Sequence, residues 1–402
     1  MWMLLVIMLL TACSDHSGEG SDENGDCFLN IYVYAPGHPM LTRADVGEIA
    51  HREIAESTVH TLQIWVFKHS NGDLVGYLNA TPSFLNETNG QELFRMKVEK
   101  EFADNPENVD VYVVANAGSC GLVDGENKLT LGESTTRAEL DAQMIGANYF
   151  GVSNPVSSVP TAGLPMSGVE KDQPIYGSYP TLRVGTQDAM TTVQLTRAVS
   201  KLRFVLCRIA SEDDKELVSI DRIQLDGGMI PTESYLMPGT YTYSSDPVAS
   251  TDYETNPIVY VNTDNKLLKA DIPTVVNPMK YAYETQAAQD YEDMINGAIA
   301  GTYKANENDE ELKELGPTYL RESDKQLTGT IHYTIENLST HQQTNKVASF
   351  SMAAPGDFLR NRSWIIYVFY MDAKIHVLTV TDMGVKSWTP DNIDDDRSVY
   401  NW

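Results

Sequence analysis

Basic clusters, long apolar runs and a cysteine framework are all missing from this chain of 402 residues. Lysine and arginine total 29 against 56 aspartates and glutamates, a formal net charge of −27. That balance excludes a nucleic-acid partner, because phosphate binding draws on clustered Lys and Arg. Four cysteines are too few for the disulfide scaffold of a small secreted domain. The one stretch apolar enough for membrane contact, Met1 to Leu10, is too short to span a bilayer. What the chain does have is 42% hydrophobic residues and 21 Tyr, enough to build cores and to exclude wholesale disorder. At about 150 residues per domain, the length fits two to three domains.

Catalytic signatures are equally scarce. There is no Gly-x-Ser-x-Gly elbow, no His-Glu-x-x-His pair and no Gly-x-x-x-x-Gly-Lys phosphate loop. The eight His are dispersed, none at metal-ligand spacing to Cys or carboxylates. His332 and His376 alternate out of strand-like runs and read as surface or cross-strand residues. Asp394-Asp395-Asp396 lacks the Gly and the distal Glu of a calcium loop and reads as a solvated charge run. The expectation is a protein that is not an enzyme and that carries no cofactor, metal or catalytic residue.

The N-terminus points to export. The apolar run Met1 to Leu10 leads into Leu10-Thr11-Ala12-Cys13, which resembles the lipobox of a lipoprotein signal. Cys13 would become the acylated N-terminus, held on the outer membrane by two or three chains such as palmitate. No Lys or Arg precedes the apolar run, so the true start of the signal could lie upstream. Residues 13–26 are Gly/Ser-rich and acidic, the composition of a flexible tether. Acidic residues behind a lipid-bearing Cys also resemble the surface-export signal of some Gram-negative lipoproteins.

Past the tether the chain reads as strands. Leu29, Ile31 and Val33 alternate with Asn30, Tyr32 and Tyr34, the period of a strand buried on one face. Similar runs cover Leu62 to Val66, Leu74 to Leu78 after an Asn71-Gly72 turn, and Val109 to Ala115. A short helix is expected around Arg137 to Ile145, and the Gly-, Pro- and Ser-rich run from there to Pro180 reads as loop. A second block begins near Arg183. Thr191 to Ile209 is long enough to cross a sheet or turn a corner. Ile331 to Ile335 and Ala348 to Met352 alternate, and Trp364 to Met371 is apolar on both faces, as a central strand requires, with Ile375 to Val380 as its partner. Thr285 to Ala300 has helical spacing, and the acidic run Glu307 to Glu314 would extend that insertion. The pattern predicts two β-sandwiches: a signal over 1–12, the tether over 13–26, and domains over 27–180 and 181–402.

Six stretches together resemble the fimbrillin family, the FimA/Mfa-type subunits of type V pili. They are the lipobox at Cys13, Leu62 to Phe67, Val109 to Ala117, Leu164 to Gly168, Leu195 to Leu202, and Arg360 to Val368. The resemblance implies two tandem transthyretin-like β-sandwich domains, here with a short helical insertion in the second. It also implies a lipoprotein precursor that reaches the cell surface, where a trypsin-like, Arg-specific protease removes its first strand. A strand from another subunit then fills the groove, and the polymer, a fimbrium, supports adhesion to a target the sequence does not name. Strand addition of this kind takes affinity from backbone ladder bonds and specificity from alternate side chains.

Carried onto this chain, the removable strand bears Leu29, Ile31 and Val33, and Arg43 is the preferred scissile residue with Arg52 as its rival. Two features depart from a minimal stalk subunit: the helical insertion, and a C-terminal segment from Val385 to Trp402 broken by Pro390 and three Asp. A tip or anchor subunit is therefore the alternative, and a non-polymerising surface lipoprotein that binds a glycan or host protein is the next. Once Cys13 is acylated, Cys27, Cys120 and Cys207 remain, and an odd number leaves a thiol unpaired. Cys207 lies in an apolar strand and reads as a small core residue. Release of Cys27 to Arg43 requires that Cys27 not be bridged to Cys120.

Overall fold

The structure, a computed structural model, describes residues 26–34, 56–82, 91–119, 123–124, 127–128, 131–145, 150, 156–208, 216–238, 252–261, 313–352, 358–371 and 374–381. Cys13, Arg43, Arg52, Cys120, the expected helix Thr285 to Ala300 and the segment Val385 to Trp402 lie outside the described residues.

The first half opens with β1 (Cys27–Tyr34), β2 (Leu62–Lys68), β3 (Leu74–Ala80), β4 (Gln91–Val98), helix α1 (Lys100–Asp104) and β5 (Val109–Ala115). Short elements follow: β6 (Val123–Asp124), β7 (Asn127–Lys128), helix α2 (Arg137–Ala142) and β8 (Met144–Ile145). It closes with β9 (Met166–Gln173), β10 (Ile175–Ser178), β11 (Thr181–Val184), β12 (Thr192–Gln194) and β13 (Thr196–Arg197). Two five-stranded sheets result. In the first, β1 lies between β4 on one edge and β11 and β12 on the other, with β10 outside β11. The second runs β13-β9-β5-β2-β3.

Strand β5 is buried at every position, as a central strand covered on both faces must be. Residues 131–145 lie over its sheet: Tyr112 Oη donates to Asp141 at 2.9 Å, and Trp65 Nε1 donates to the Gly132 carbonyl at 2.8 Å. The capping box of Thr136 and Glu139 starts α2 in this cover. Asp110, the one charge on β5, is 2% exposed and satisfied by Arg137 at 2.8 Å, His69 at 2.7 Å and the Asp172 amide at 2.9 Å. Burial pushes the Asp110 carboxyl up, but these donors outweigh it and hold it below the usual range.

The second half contains β14 (Ser200–Arg208), β15 (Glu216–Leu225), β16 (Ser234–Tyr235), β17 (Ile258–Val261) and β18 (Lys313–Leu320). It ends with β19 (Leu327–Asn337), β20 (Gln343–Met352), β21 (Ser363–Met371) and β22 (Lys374–Thr381). Two four-stranded sheets, β18-β14-β21-β22 and β17-β15-β19-β20, share a core that includes Phe204, Ile220, Ile331, Phe350 and Trp364. The mainly β, sandwich-type architecture follows the strand periodicity. Three local expectations change. The run read as loop up to Pro180 contains β9 and β10. Strands β11, β12 and β13 pair into the first two sheets, so residues up to Arg197 belong there rather than to a block starting at 181. Lys313 and Glu314, read as part of the insertion, open β18.

The chain passes between the halves over residues 195–202, where Leu195 and Ala198 join the first core and Leu202 the second. This crossing holds a buried ion pair between Lys201 Nζ and Glu56 Oε1, both side chains 6% exposed. Tyr319 Oη donates to the same Glu56 oxygen at 2.8 Å, and burial beside that carboxylate pushes the phenol pKa up. Arg197 donates from Nε to the Glu56 carbonyl at 3.0 Å, from Nη2 to Ser57 Oγ at 2.7 Å and from Nη1 to Asn361 Oδ1 at 3.0 Å. Removing one member of a buried pair strands the other charge, so Glu56→Ala should cost about 3–5 kcal/mol in urea unfolding. The double change Glu56→Leu with Lys201→Met should recover most of that loss. Equal loss in both variants would contradict this reading of the crossing.

Candidate assembly site: the buried first strand

β1 pairs with β4 along its whole length, antiparallel, from Cys27 opposite Val98 to Tyr34 opposite Gln91. Its other edge is shared. Phe28 to Asn30 run parallel to Thr181 to Arg183, and Tyr32 to Tyr34 run parallel to Thr192 to Gln194. The chain leaves β1 between those pairings through a tight turn at 185–191, closed by Thr191 N donating to the Val184 carbonyl at 2.9 Å. Gly185 there has φ +131°, and a Cβ would lie 2.3 Å from the Ala189 carbonyl oxygen, so only glycine fits. The ladder extends past both ends of β1: Phe28 N donates to the Pro180 carbonyl at 3.0 Å, and Leu195 N to the Tyr34 carbonyl at 2.9 Å.

The inward face of β1 is fully buried. Leu29, Ile31 and Val33 are 0% exposed and Cys27 is 1% exposed. Their cross-strand neighbours Phe94, Met96, Leu182 and Val193 are buried too and join the same core. Each of the three large side chains contributes about 1.5–3 kcal/mol on burial, together on the order of 5–9 kcal/mol as an upper estimate. That equals much of the 5–15 kcal/mol that typically separates a folded domain from its unfolded chain. A strand with this stake does not leave the sheet unless another takes its place.

Cys27 supplies a fourth inward residue beyond the three read from the alternation. Its thiol is free, and burial pushes its pKa up, which makes it unreactive while the strand is in place. β4 is not among the strands read from the sequence, although its alternation, with Phe94, Met96 and Val98 buried, marks the wall on one side. Among the described residues no three His, Cys, Asp or Glu are placed to hold a metal ion.

Asn116 pins the core behind this groove. It has φ +57° and is fully buried. Its Oδ1 accepts from His60 N at 2.8 Å, while Nδ2 donates to the Thr58 carbonyl at 2.9 Å and the Leu164 carbonyl at 2.8 Å. One side chain thereby ties the end of β5 to the segment entering β2 and to the segment leading into β9. Arg197, Lys201 and Asn361, from two of the other matching stretches, meet at the crossing described above.

No protein-family model and no curated protein matches this sequence. Among solved structures, the chain is similar to the tip fimbrial protein Mfa3 from Porphyromonas gingivalis with a C-terminal truncation, at 12% identity and a TM-score of 0.40 over 89% of this chain and 99% of that one. A fimbrial assembly protein from Parabacteroides distasonis aligns at 13% identity and a TM-score of 0.38, over 88% and 95% of the two chains. A fimbrial protein from Bacteroides vulgatus aligns at 8% identity and a TM-score of 0.40, over 90% and 99%.

Substitutions on β1 should divide by face. Ile31→Ala is expected to cost about 2–5 kcal/mol in urea unfolding, the range for a large core side chain cut to Ala. Asn30→Ser, on the other face, should stay within about 1 kcal/mol. Equal costs at the two positions would show that β1 is not the plug of this core.

Proposed function

We propose that this chain is a subunit of a cell-surface fimbria, and that its chemistry is assembly. The observation that carries the reading is the position of β1. The first strand of the fold is clamped between β4 and the β11–β12 edge, and its inward face fills the core of the first two sheets. Its removal would leave a groove walled by Phe94, Met96, Leu182 and Val193, with unpaired backbone on both sides. A strand from another subunit with apolar residues at alternate positions meets both demands at once.

In this account Cys13 carries the acyl anchor of an outer-membrane precursor, and a trypsin-like protease cuts after Arg43. The segment with Leu29, Ile31 and Val33 then leaves, and further subunits add to form an extracellular fimbrium that supports adhesion. The free Cys27 thiol is compatible with departure, because a bridge to the body of the protein would retain the strand after backbone cleavage. The division into an N-terminal and a C-terminal sandwich remains part of the proposal, with the crossing at 195–202 as the point where they join.

The test treats the purified precursor and its Arg43→Ala variant with a trypsin-like protease and follows particle mass by light scattering. Wild type should polymerise, and the variant should stay monomeric with β1 in place. Polymer from both at the same rate would remove Arg43 as the switch and make Arg52 the next residue to change. Retention of cleaved β1 in polymerised material would overturn strand release itself.

A further inference from the structure

The outward face of the first sheet differs in charge from the rest of the molecule. The chain carries −27 overall, yet the outward positions of β10, β11, β1, β12 and β4 include no Asp or Glu. One row crosses the whole sheet in register: Tyr176, Arg183, Asn30 and Arg95. The Arg95 guanidinium lies over the Phe28 ring at 4.4 Å, and that of Arg183 over the Tyr176 ring at 4.6 Å. Each guanidinium lies against a ring, and Arg183 also donates from Nη2 to the Gln187 carbonyl, which leaves Arg95 the more open of the two. In the same row the buried atoms Asn30 Oδ1 and Arg183 Nε have no hydrogen-bond partner among the described residues. Asp26 sits at one end of this face, paired at 2.8 Å with Lys97, an outward residue of β4, and Asp104 pairs with Lys100 at 2.7 Å. Leu93 at 44% and Tyr176 at 38% exposure leave apolar surface open beside the arginines.

We propose that this face binds a linear acidic polysaccharide, a polymer of uronate-type sugars, with Arg95 and Arg183 receiving carboxylates and the aromatic rings flanking the sugar faces. Charge complementarity selects an anionic ligand, since Arg95 and Arg183 face outward with no carboxylate partner among the described residues, on a chain of net charge −27. Size selects a polysaccharide over a protein. β1 and β4 are eight residues long, β10 and β11 four and β12 three, which at about 4.8 Å between strands and about 3.3 Å per residue gives a face of roughly 430 Å², against about 800 Å² per partner in a standard protein interface. A sugar chain running along the Tyr176–Arg95 row meets guanidinium, amide and ring groups in turn, the mix that a polyhydroxylated carboxylate demands. The face needs β1 in place, because Phe28 and Asn30 are part of it, so the inference concerns the uncleaved chain and is tested on that form.

The experiment uses the uncleaved full chain and measures binding to immobilised polygalacturonate and to neutral dextran of matched length, at low and physiological salt. Wild type should bind the polyuronate, more weakly as salt rises, and leave dextran unbound. The pair Arg95→Gln with Arg183→Gln should weaken binding about tenfold or more, the scale of a charged hydrogen bond lost. The pair Arg95→Lys with Arg183→Lys should recover part of it. If the Gln pair fails to fold, Thr181→Glu, on an exposed position of the same face, should weaken binding instead. Absence of polyuronate binding, equal binding of dextran, or unchanged binding in the folded Gln pair would each overturn the proposal. So would self-association that the Gln pair abolishes without any polysaccharide binding, which would make the face a contact between copies.

Discussion

The first sheet exists because one strand, β1, is paired on both edges at once. Among the described residues β4 enters that sheet only through β1, and β11 and β12 meet β1 end to end along its other side. The strand that closes the sheet is therefore the first in sequence, while its parallel partners lie about 150 residues later, at Thr181 to Gln194. Parallel pairing at such separation pays its loop-closure entropy before the contacts reward it. The apolar plug of Cys27, Leu29, Ile31 and Val33 supplies the reward, and its loss would expose both a hydrophobic floor and two unpaired backbone edges. The first sheet therefore depends on that slot being filled.

The crossing between the two halves attaches to the same region. Glu56 and Ser57 stand at the head of the segment entering β2, and both are held by Arg197. Lys201 and Tyr319, from the second pair of sheets, close on the Glu56 carboxylate. The chain returning from β1 is therefore fixed to both halves before β2 begins. A break upstream of Glu56 would leave these contacts intact, with β1 still held by its two ladders and its buried face.

Much of this was legible in the sequence, for a physical reason. Period-two alternation survives wherever a strand buries one face, so Leu29, Ile31 and Val33 could be read directly, as could the β19 and β20 runs. β21 was legible because a central strand is apolar on both sides. β9 and β10 were hidden because their sequence is rich in residues that usually signal turns. Gly168 illustrates why: a Cβ there would lie 2.5 Å from the Gln194 carbonyl oxygen, so glycine serves close strand approach and not a turn. β11 and β12 were obscured by the tight turn that splits one sheet edge into two short pieces. The ion pair of Glu56 with Lys201 spans 145 positions, and no local pattern announces a contact at that distance. The basic, aromatic outer face was equally invisible, since its row draws one residue from each of four strands.

Native-state hydrogen exchange with rising urea tests the central claim most directly, because it reads the opening free energy of each strand in the intact chain. If β1 is the constraint on which the first sheet depends, the amides of β1, β4, β11 and β12 should open together with one common free energy and one common urea dependence. Opening of β1 at lower free energy, with β4 and β11 still protected, would show that the sheet stands without it and would contradict the account.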